Sequence, residues 1–413
     1  MQTTVSEPTP KSAAEQKMCA DEKKPTLLLY CQSSLGIGHT MRSLRIIHEL
    51  NHVYDVFFLN GGKDIPPEQY PGVHIINLPP IVADPEFVEL RPMQDNISLE
   101  DIFQQRRDII LSTFERHTPQ VLVVELYPFG RGSFGSELVP LLKQARQQGT
   151  YTVSSVRDIL AKRTDQSRYE QKVIDRMNRY FDALLIHGDE TFYPLDESFS
   201  RMRDIQSNVH YTGYVVPEIR PEIKYDPADD PAQPKPAHII ASIGGGRFGH
   251  ELALAVVLAA KYLEHKIPHQ ITLYTGPFCP REIITMLEQA ACEATNLQIK
   301  YYTEDLHLEL QSASLSISLG GYNTTMDVLA TGVPSMMMAC RNNGGMDQAP
   351  RLKRLAMTGA IDLIETDDLQ PETLAAKIVQ NLAKVHTTPS INLNGAKNTA
   401  ALIQKLSNGM SNK

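Results

Sequence analysis

Short apolar runs alternate with helix-period patterns along nearly the whole chain, and this alternation narrows the available folds more than any other feature. Strand patterns in the first half fall at 26–32 (TLLLYCQ), 54–60, 73–78, 120–126, 150–156, 183–189 and 209–215. The clearest helix between them is SLEDIFQQRRDIILSTFERH at 98–117, where Ser98 and Asp101 stand like a capping box. Strands and helices in this rhythm predict parallel sheets with helices on both faces.

The rhythm breaks once. VPEIRPEIKYDPADDPAQPKP at 216–236 holds six prolines in 21 residues, a density that blocks helices and central strands alike. Strand patterns resume at 238–243, 269–275, 297–303, 315–319, 334–340 and 360–365. The sequence thus predicts an α/β protein with two Rossmann-like, doubly wound domains facing a cleft. The expected divisions are a disordered N-terminal tail (1–25), a first domain (26–216), a Pro-rich linker (217–236), a second domain (237–389) and a C-terminal helical segment (390–413). A length of 413 residues is itself too great for one ordinary core.

Bulk properties exclude several classes. With 42% hydrophobic and 21% charged residues the chain reads as globular. A net charge of −8 provides no general attraction to nucleic acid or to anionic membranes, although KQARQQ and RLKRL are locally basic. No apolar run is long enough to span a bilayer, and the polar N-terminus has no secretion-signal core, although peripheral membrane contact stays open. Five scattered cysteines without CxxC spacing imply reduced thiols in a cytoplasm and no sulfur-built metal site, and Cys31 and Cys340 are expected in strand cores.

Chemistry collects at strand ends. SSLGIGHTMRSLRII at 33–47 reads as strand, glycine-bearing turn with Gly36 and Gly38, His39, then helix. A His at a cleft edge suits a general base, and it equally suits a helix cap or a packing residue. Glu125, closing QVLVVEL, is the rival base, or else the partner of Arg131 or Arg157 in an ion pair. Arg157 and Asp158 end another strand on the same side, where they serve an acceptor or pair structurally. In the second half a strand enters Gly244-Gly245-Gly246 and Arg247, and another enters Gly320-Gly321 with Asn323, Thr324 and Thr325. Glycine turns before helices admit anions to backbone N–H groups, and the helix end adds about half a positive charge. Asp327, within the first turns of the second helix, is placed to accept both hydroxyls of a ribose.

These residues resemble the nucleotide-binding half of GT-B glycosyltransferases, especially the MurG-like group and its predicted bacterial members. Three blocks carry the likeness: the strand into Gly244-Gly245-Gly246, YYTEDLHLELQSASLSISLGGYNTTMDVLATGVPSM, and NNGGMDQAPRLKRL. The resemblance implies that Asp327 binds the ribose, Thr303 lies beside the base, and Asn323, Thr324 and Thr325 cradle the diphosphate. It also implies that Asp347 and Gln348 face the transferred sugar, that the His39 loop serves acceptor chemistry, and that the last helix crosses back to the first domain. The chain departs from the family in having Asp at 327 for the usual Glu, Ser314 for a customary Asp, and GGGR for Gly-Gly-Ser.

The expected activity is inverting transfer of a hexose from a nucleoside-diphosphate sugar, with uridine the expected base, to an acceptor hydroxyl of a small molecule, glycan or lipid-linked compound. No Asp-x-Asp pair occurs, so no divalent metal and no other cofactor is expected. No P-loop Gly-x-x-x-x-Gly-Lys-Ser/Thr sequence is present. Rival readings are a nucleotide-sugar epimerase or hydrolase on the same scaffold, and a non-catalytic sugar-nucleotide-binding partner subunit.

Overall fold

The computed structural model describes residues 24–33, 37–83, 89–94, 96–219, 236–340 and 347–409. The N-terminal tail up to residue 23, most of the Pro-rich linker and Gly36 lie outside the described residues.

The first lobe runs β1 (Thr26–Cys31), α1 (Gly38–Leu50), β2 (Asp55–Asn60), β3 (Val73–Asn77), β4 (Ile81–Ala83), β5 (Leu90–Pro92), α2 (Leu99–His117), β6 (Val121–Glu125), α3 (Gly135–Gln147), β7 (Tyr151–Arg157), α4 (Gln166–Tyr180), β8 (Ala183–His187) and β9 (Asn208–Tyr211). Seven strands form one parallel sheet in the order β3-β2-β1-β6-β7-β8-β9, with Leu29 in register with Phe58 on one side and Val123 on the other. Its central strands are buried on both faces, which is why they read as unbroken apolar runs. Leu28, Leu122 and Val124 pack on Ile110, Phe114, Leu141 and Met177 of α2, α3 and α4, while Leu27, Leu29 and Val123 face Leu44, Ile47 and Leu50 of α1. Ser98 caps α2, its hydroxyl accepting from the Asp101 N–H at 3.0 Å.

The second lobe runs β10 (Ala237–Ser242), α5 (His250–Leu263), β11 (His269–Tyr274), α6 (Arg281–Ala291), β12 (Leu297–Lys300), α7 (Leu306–Gln311), β13 (Leu315–Leu319), α8 (Tyr322–Thr331), β14 (Ser335–Met338), α9 (Gln348–Met357), β15 (Asp362–Leu363) and α10 (Pro371–Ala383). Its six parallel strands are ordered β12-β11-β10-β13-β14-β15. α11 (Gly395–Asn408) then returns to the first lobe, where Ala400 and Ile403 join the core beneath α1.

Local pattern and structure part company in a few places. The strand expected to 215 stops at Tyr211, because Gly213 takes a φ of +91° and turns the chain against the segment before α11. There Tyr214 N–H donates to the Asn392 carbonyl at 2.8 Å, and Gly395 N–H donates to the Tyr214 carbonyl at 2.9 Å. The strand expected over 297–303 ends at Lys300, and Cys340 lies past the end of β14. The irregular stretch before α2 contains an antiparallel pair, β4 and β5, whose three-residue strands are too short to show a period.

Charges join the lobes. Asp158 is fully buried and takes two bonds of 2.8 Å from Arg351 of α9, with a third from the Tyr214 hydroxyl at 3.2 Å. Arg157 reaches Asp347 at 3.3 Å, and Arg351 also donates to Asp347 at 3.1 Å. Arg354 binds Glu197 and the Phe192 carbonyl. Arg157 and Asp158 thus each form a structural ion pair with the second lobe.

Two stability measurements check this arrangement. Asp158→Ala leaves the buried Arg351 guanidinium short of its main partner and should destabilise the protein by about 3–5 kcal/mol in urea unfolding. Ile403→Ala opens a cavity under α1 and should cost the first lobe about 2–5 kcal/mol, read as a lower denaturation midpoint.

Candidate functional site

In each sheet the strand order reverses direction at one place, and the crevice outside such a point is where α/β proteins hold ligands. In the first lobe that place lies between β1 and β6, and in the second between β10 and β13. His39 follows β1 and Glu125 ends β6. Gly244-Gly245-Gly246 follows β10 and Gly320-Gly321 follows β13.

α1 begins at Gly38, so His39 sits inside the first turn and is not the cap, a position held by Ile37. The His39 Nδ1 lies 2.7 Å from Glu125 Oε1, and the imidazole remains 22% exposed. Arg42, one turn along α1, pairs with the same carboxylate oxygen. The ion-pair partner of Glu125 is thus Arg42, rather than Arg131 or Arg157. Burial lowers the His39 pKa to about 4, with Arg131 and Arg42 pushing the same way against the pull of Glu125. Burial alone would raise Glu125, but His39, Arg42 and Arg131 outweigh it and bring the carboxyl down to about 2. At neutral pH the pair is a neutral imidazole beside a carboxylate. Nδ1–H donates to Glu125, which leaves Nε2 as the proton-accepting nitrogen.

The two lobes touch at this pair. Asn323 Nδ2 donates to the Gly38 carbonyl at 3.3 Å, and Arg45 donates to Asp327 at 2.8 Å. Tyr322 is buried with the Arg42 and Arg351 guanidiniums 5.4 and 5.3 Å from its ring centre, and its hydroxyl donates to the His187 carbonyl at 3.1 Å.

The glycine turns differ from each other. Gly321 caps α8 directly and leaves open space where a Cβ would stand, so the first N–H groups of α8 are approachable. α5 starts only at His250, behind Gly249, so Gly244-Gly245-Gly246 does not lead straight into a helix end as expected. Gly246 has φ +86°, and a Cβ on it would come 2.3 Å from the Thr275 carbonyl. Its glycine is required by packing. Gly244 and Gly245 border open or loosely filled space, and Arg247 lies over the Phe278 ring at 5.2 Å.

Several expected donor contacts are buried or already paired. Thr325 is fully buried, and its hydroxyl has no hydrogen-bond partner among the described residues. Thr324 is nearly as buried, and the Asn323 amide is given to Gly38. Asp327 is 6% exposed and faces α1; burial raises its pKa while Arg45 acts in the opposite direction. Asp347 is held by two arginines, and Gln348 Oε1 accepts the Cys340 N–H at 2.9 Å. Thr303 lies past β12, its hydroxyl accepting the Asp305 N–H at 3.1 Å. Sequence reasoning missed Arg42, Arg45 and Tyr322. The visible signal for the arginines was a cation at His39 plus three and again three residues along α1.

An open depression of about 680 Å³ between β9 and α11 takes in none of these residues. Among the described residues no helix is long and apolar enough to cross a membrane.

Residues 240–406 match the glycosyltransferase family 28 C-terminal domain. The UDP-N-acetylglucosamine--N-acetylmuramyl-(pentapeptide) pyrophosphoryl-undecaprenol N-acetylglucosamine transferase of Leuconostoc citreum (strain KM20) is 24% identical over 136 residues. That match spans 33% of this chain and 37% of that protein, little more than a third of the relative's length. The crystal structure of Acinetobacter baumannii MurG superposes with a TM-score of 0.56 at 16% identity, covering 92% of this chain and 99% of that one. TcCGT1 in complex with UDP gives 0.58 at 14% identity over 94% and 100%. A UDP-glucosyltransferase from Polygonum tinctorium gives 0.56 at 13% over 95% of each. The second lobe thus matches a glycosyltransferase family 28 C-terminal domain over residues 240–406, and the two lobes together share the GT-B fold of MurG and the other glycosyltransferases named.

Proposed function

We propose that this protein transfers a sugar, with inversion, from a uridine diphosphate donor on the second lobe to an acceptor hydroxyl on the first, with His39 as the base. The observation that carries the reading is the His39–Glu125 pair, set at one switch point beside Gly38, whose carbonyl accepts from Asn323 of the glycine-led helix at the other. The acceptor oxygen attacks the anomeric carbon while Nε2 of His39 takes its proton. The bond from that carbon to the diphosphate breaks on the opposite face, and the diphosphate leaves with the electron pair. Glu125 keeps the ring in the tautomer that accepts at Nε2 and stabilises the imidazolium that forms. The leaving diphosphate meets the amide end of α8 at Gly321, a preorganised electrostatic contact that needs no divalent ion in this proposal. Uridine is supported by the UDP-sugar named for the Leuconostoc citreum relative and by the UDP bound in TcCGT1.

A thermal-shift screen of nucleotide sugars, followed by product assays on cell extracts, identifies donor and acceptor. His39→Ala should lower kcat by roughly 10²–10⁴-fold with donor affinity unchanged. The acid limb of kcat/KM should lie near pH 4, since the base is lost only as pH falls through the lowered pKa of about 4. A limb at the ordinary His value, or activity that disappears in chelator, overturns the reading. Free sugar released at the full rate without an acceptor would mark a hydrolase instead.

The ribose contact of Asp327 is also part of this proposal, with the ribose hydroxyls exchanging for Arg45. Asp327→Ala should then weaken UDP binding by about 1.5–3 kcal/mol. Arg45→Ala, which frees the carboxylate, should not weaken it. Calorimetric titration of both variants with UDP decides the point.

A further inference from the structure

We propose that Tyr322 and Asn323, at the start of α8 in the second lobe, are positioning residues for the His39 base of the first, an inference that rests on the role just given to His39.

The two neighbours act on His39 from different directions. The Asn323 amide donates to the carbonyl of Gly38, the residue immediately before His39 in the opening turn of α1. Tyr322 acts through a chain of three contacts. Its ring packs against Arg42, Arg42 pairs with Glu125, and Glu125 accepts from His39 Nδ1. The Tyr322 hydroxyl is fastened to the His187 carbonyl, at the end of β8 in the first lobe, so the ring cannot slide off Arg42 without breaking that bond. Arg42 is 2% exposed, and Tyr322 forms much of what replaces its water on the side of the second lobe.

The charged and titratable groups around His39 come from three elements. Arg42 stands on its own helix, and Glu125 and Arg131 come from β6 and the loop after it. His187, buried at the end of β8, feels both Arg42 and Glu125, and its ring nitrogens bond Ser155 at 2.7 Å and Thr212 at 2.9 Å. From α8 come a phenol and an amide, neither of them charged. The second lobe thus acts on His39 by fixing geometry and excluding water, and adds no charge of its own there.

The position of these residues gives the device its logic. Tyr322 and Asn323 directly follow Gly321, the turn proposed to hold the leaving diphosphate. One turn of helix therefore seats the donor and sets the base. With α8 withdrawn, Gly38 loses its donor, Arg42 loses its ring and water reaches the imidazole.

The test is the titration of His39 by NMR in the full chain carrying isotope-labelled histidine, its resonance assigned by comparison with His39→Gln. Wild type, Tyr322→Phe, Tyr322→Leu and Asn323→Ala are compared, with the remaining histidine resonances reporting that each variant is folded. Tyr322→Leu and Asn323→Ala should move the His39 titration upward, toward its ordinary value of about 6.5. Tyr322→Phe, which keeps the ring but frees it from the His187 carbonyl, should shift the titration less than Tyr322→Leu. In Tyr322→Leu, kcat should fall on the order of 10²-fold through misplacement of the base, with the UDP dissociation constant unchanged. A wild-type His39 titration in both folded Tyr322→Leu and Asn323→Ala overturns the proposal, as does an equal loss of kcat and UDP affinity in Tyr322→Leu. Should the wild-type protein transfer no sugar from any donor, the reading of His39 as a base fails, and the titrations still decide whether α8 positions it.

Discussion

Glu125 is a carboxylate at the end of a central strand, 2% exposed, and the rest of the site is organised around the need to neutralise it. An ion removed from water costs several kcal/mol unless partners replace its hydration. Both partners come from the first two turns of α1, as His39 and Arg42. Their spacing of three residues puts them on one face of that helix, so satisfying Glu125 also fixes how α1 lies against β6. The requirement then passes outward. Arg42 is itself buried once it reaches Glu125, and its exposed side is closed by Tyr322 of the other lobe. A charge at one strand end has thereby set the contact between two domains.

This ordering explains which parts of the structure could be read from the chain. Parallel strands buried on both faces announce themselves as continuous apolar runs, and glycine turns announce the loops at their ends. The two switch points and His39 were legible for that reason. Side-chain partnerships were not, because they join residues far apart in sequence. Glu125 was an ion-pair candidate, yet nothing local distinguishes Arg42 from Arg131 or Arg157 as its partner. Asp327 shows the same limit from the other direction. Its place after the glycine turn matches a nucleotide-binding pattern, but the face it presents depends on α1 packing beside α8 and supplying Arg45. Thr325, three residues past the first of the helix, is fully buried there, which its polar neighbours in sequence do not reveal. The resemblance to GT-B transferases carried over the motif and its position. It could not carry over contacts that only this chain's first lobe provides.

The border between the lobes is built largely from charge, and that choice has physical consequences. Arg45–Asp327, Arg157–Asp347, Arg351–Asp158 and Arg354–Glu197 all cross it. Their environments range from fully buried for Arg351 and Asp158 to 33% and 39% exposed for Arg354 and Glu197. The exposed pair contributes at most about 1 kcal/mol, and a buried pair roughly balances its attraction against lost hydration. Parting such a border returns each ion to water, so the net cost of opening is small for the number of contacts broken. An apolar border of the same extent would lose about 25 cal/mol for every Å² exposed. Charge pairs also enforce register, since a shifted closure would leave Arg351 or Asp158 buried without a partner, at several kcal/mol. The donor proposed above would enter between lobes that separate easily yet close in one way. Tyr322 is the exception that completes the logic. It is the large aromatic side chain of α8 inserted among these charges, and it stands where the register of closure matters most, behind the arginine that holds the base pair together.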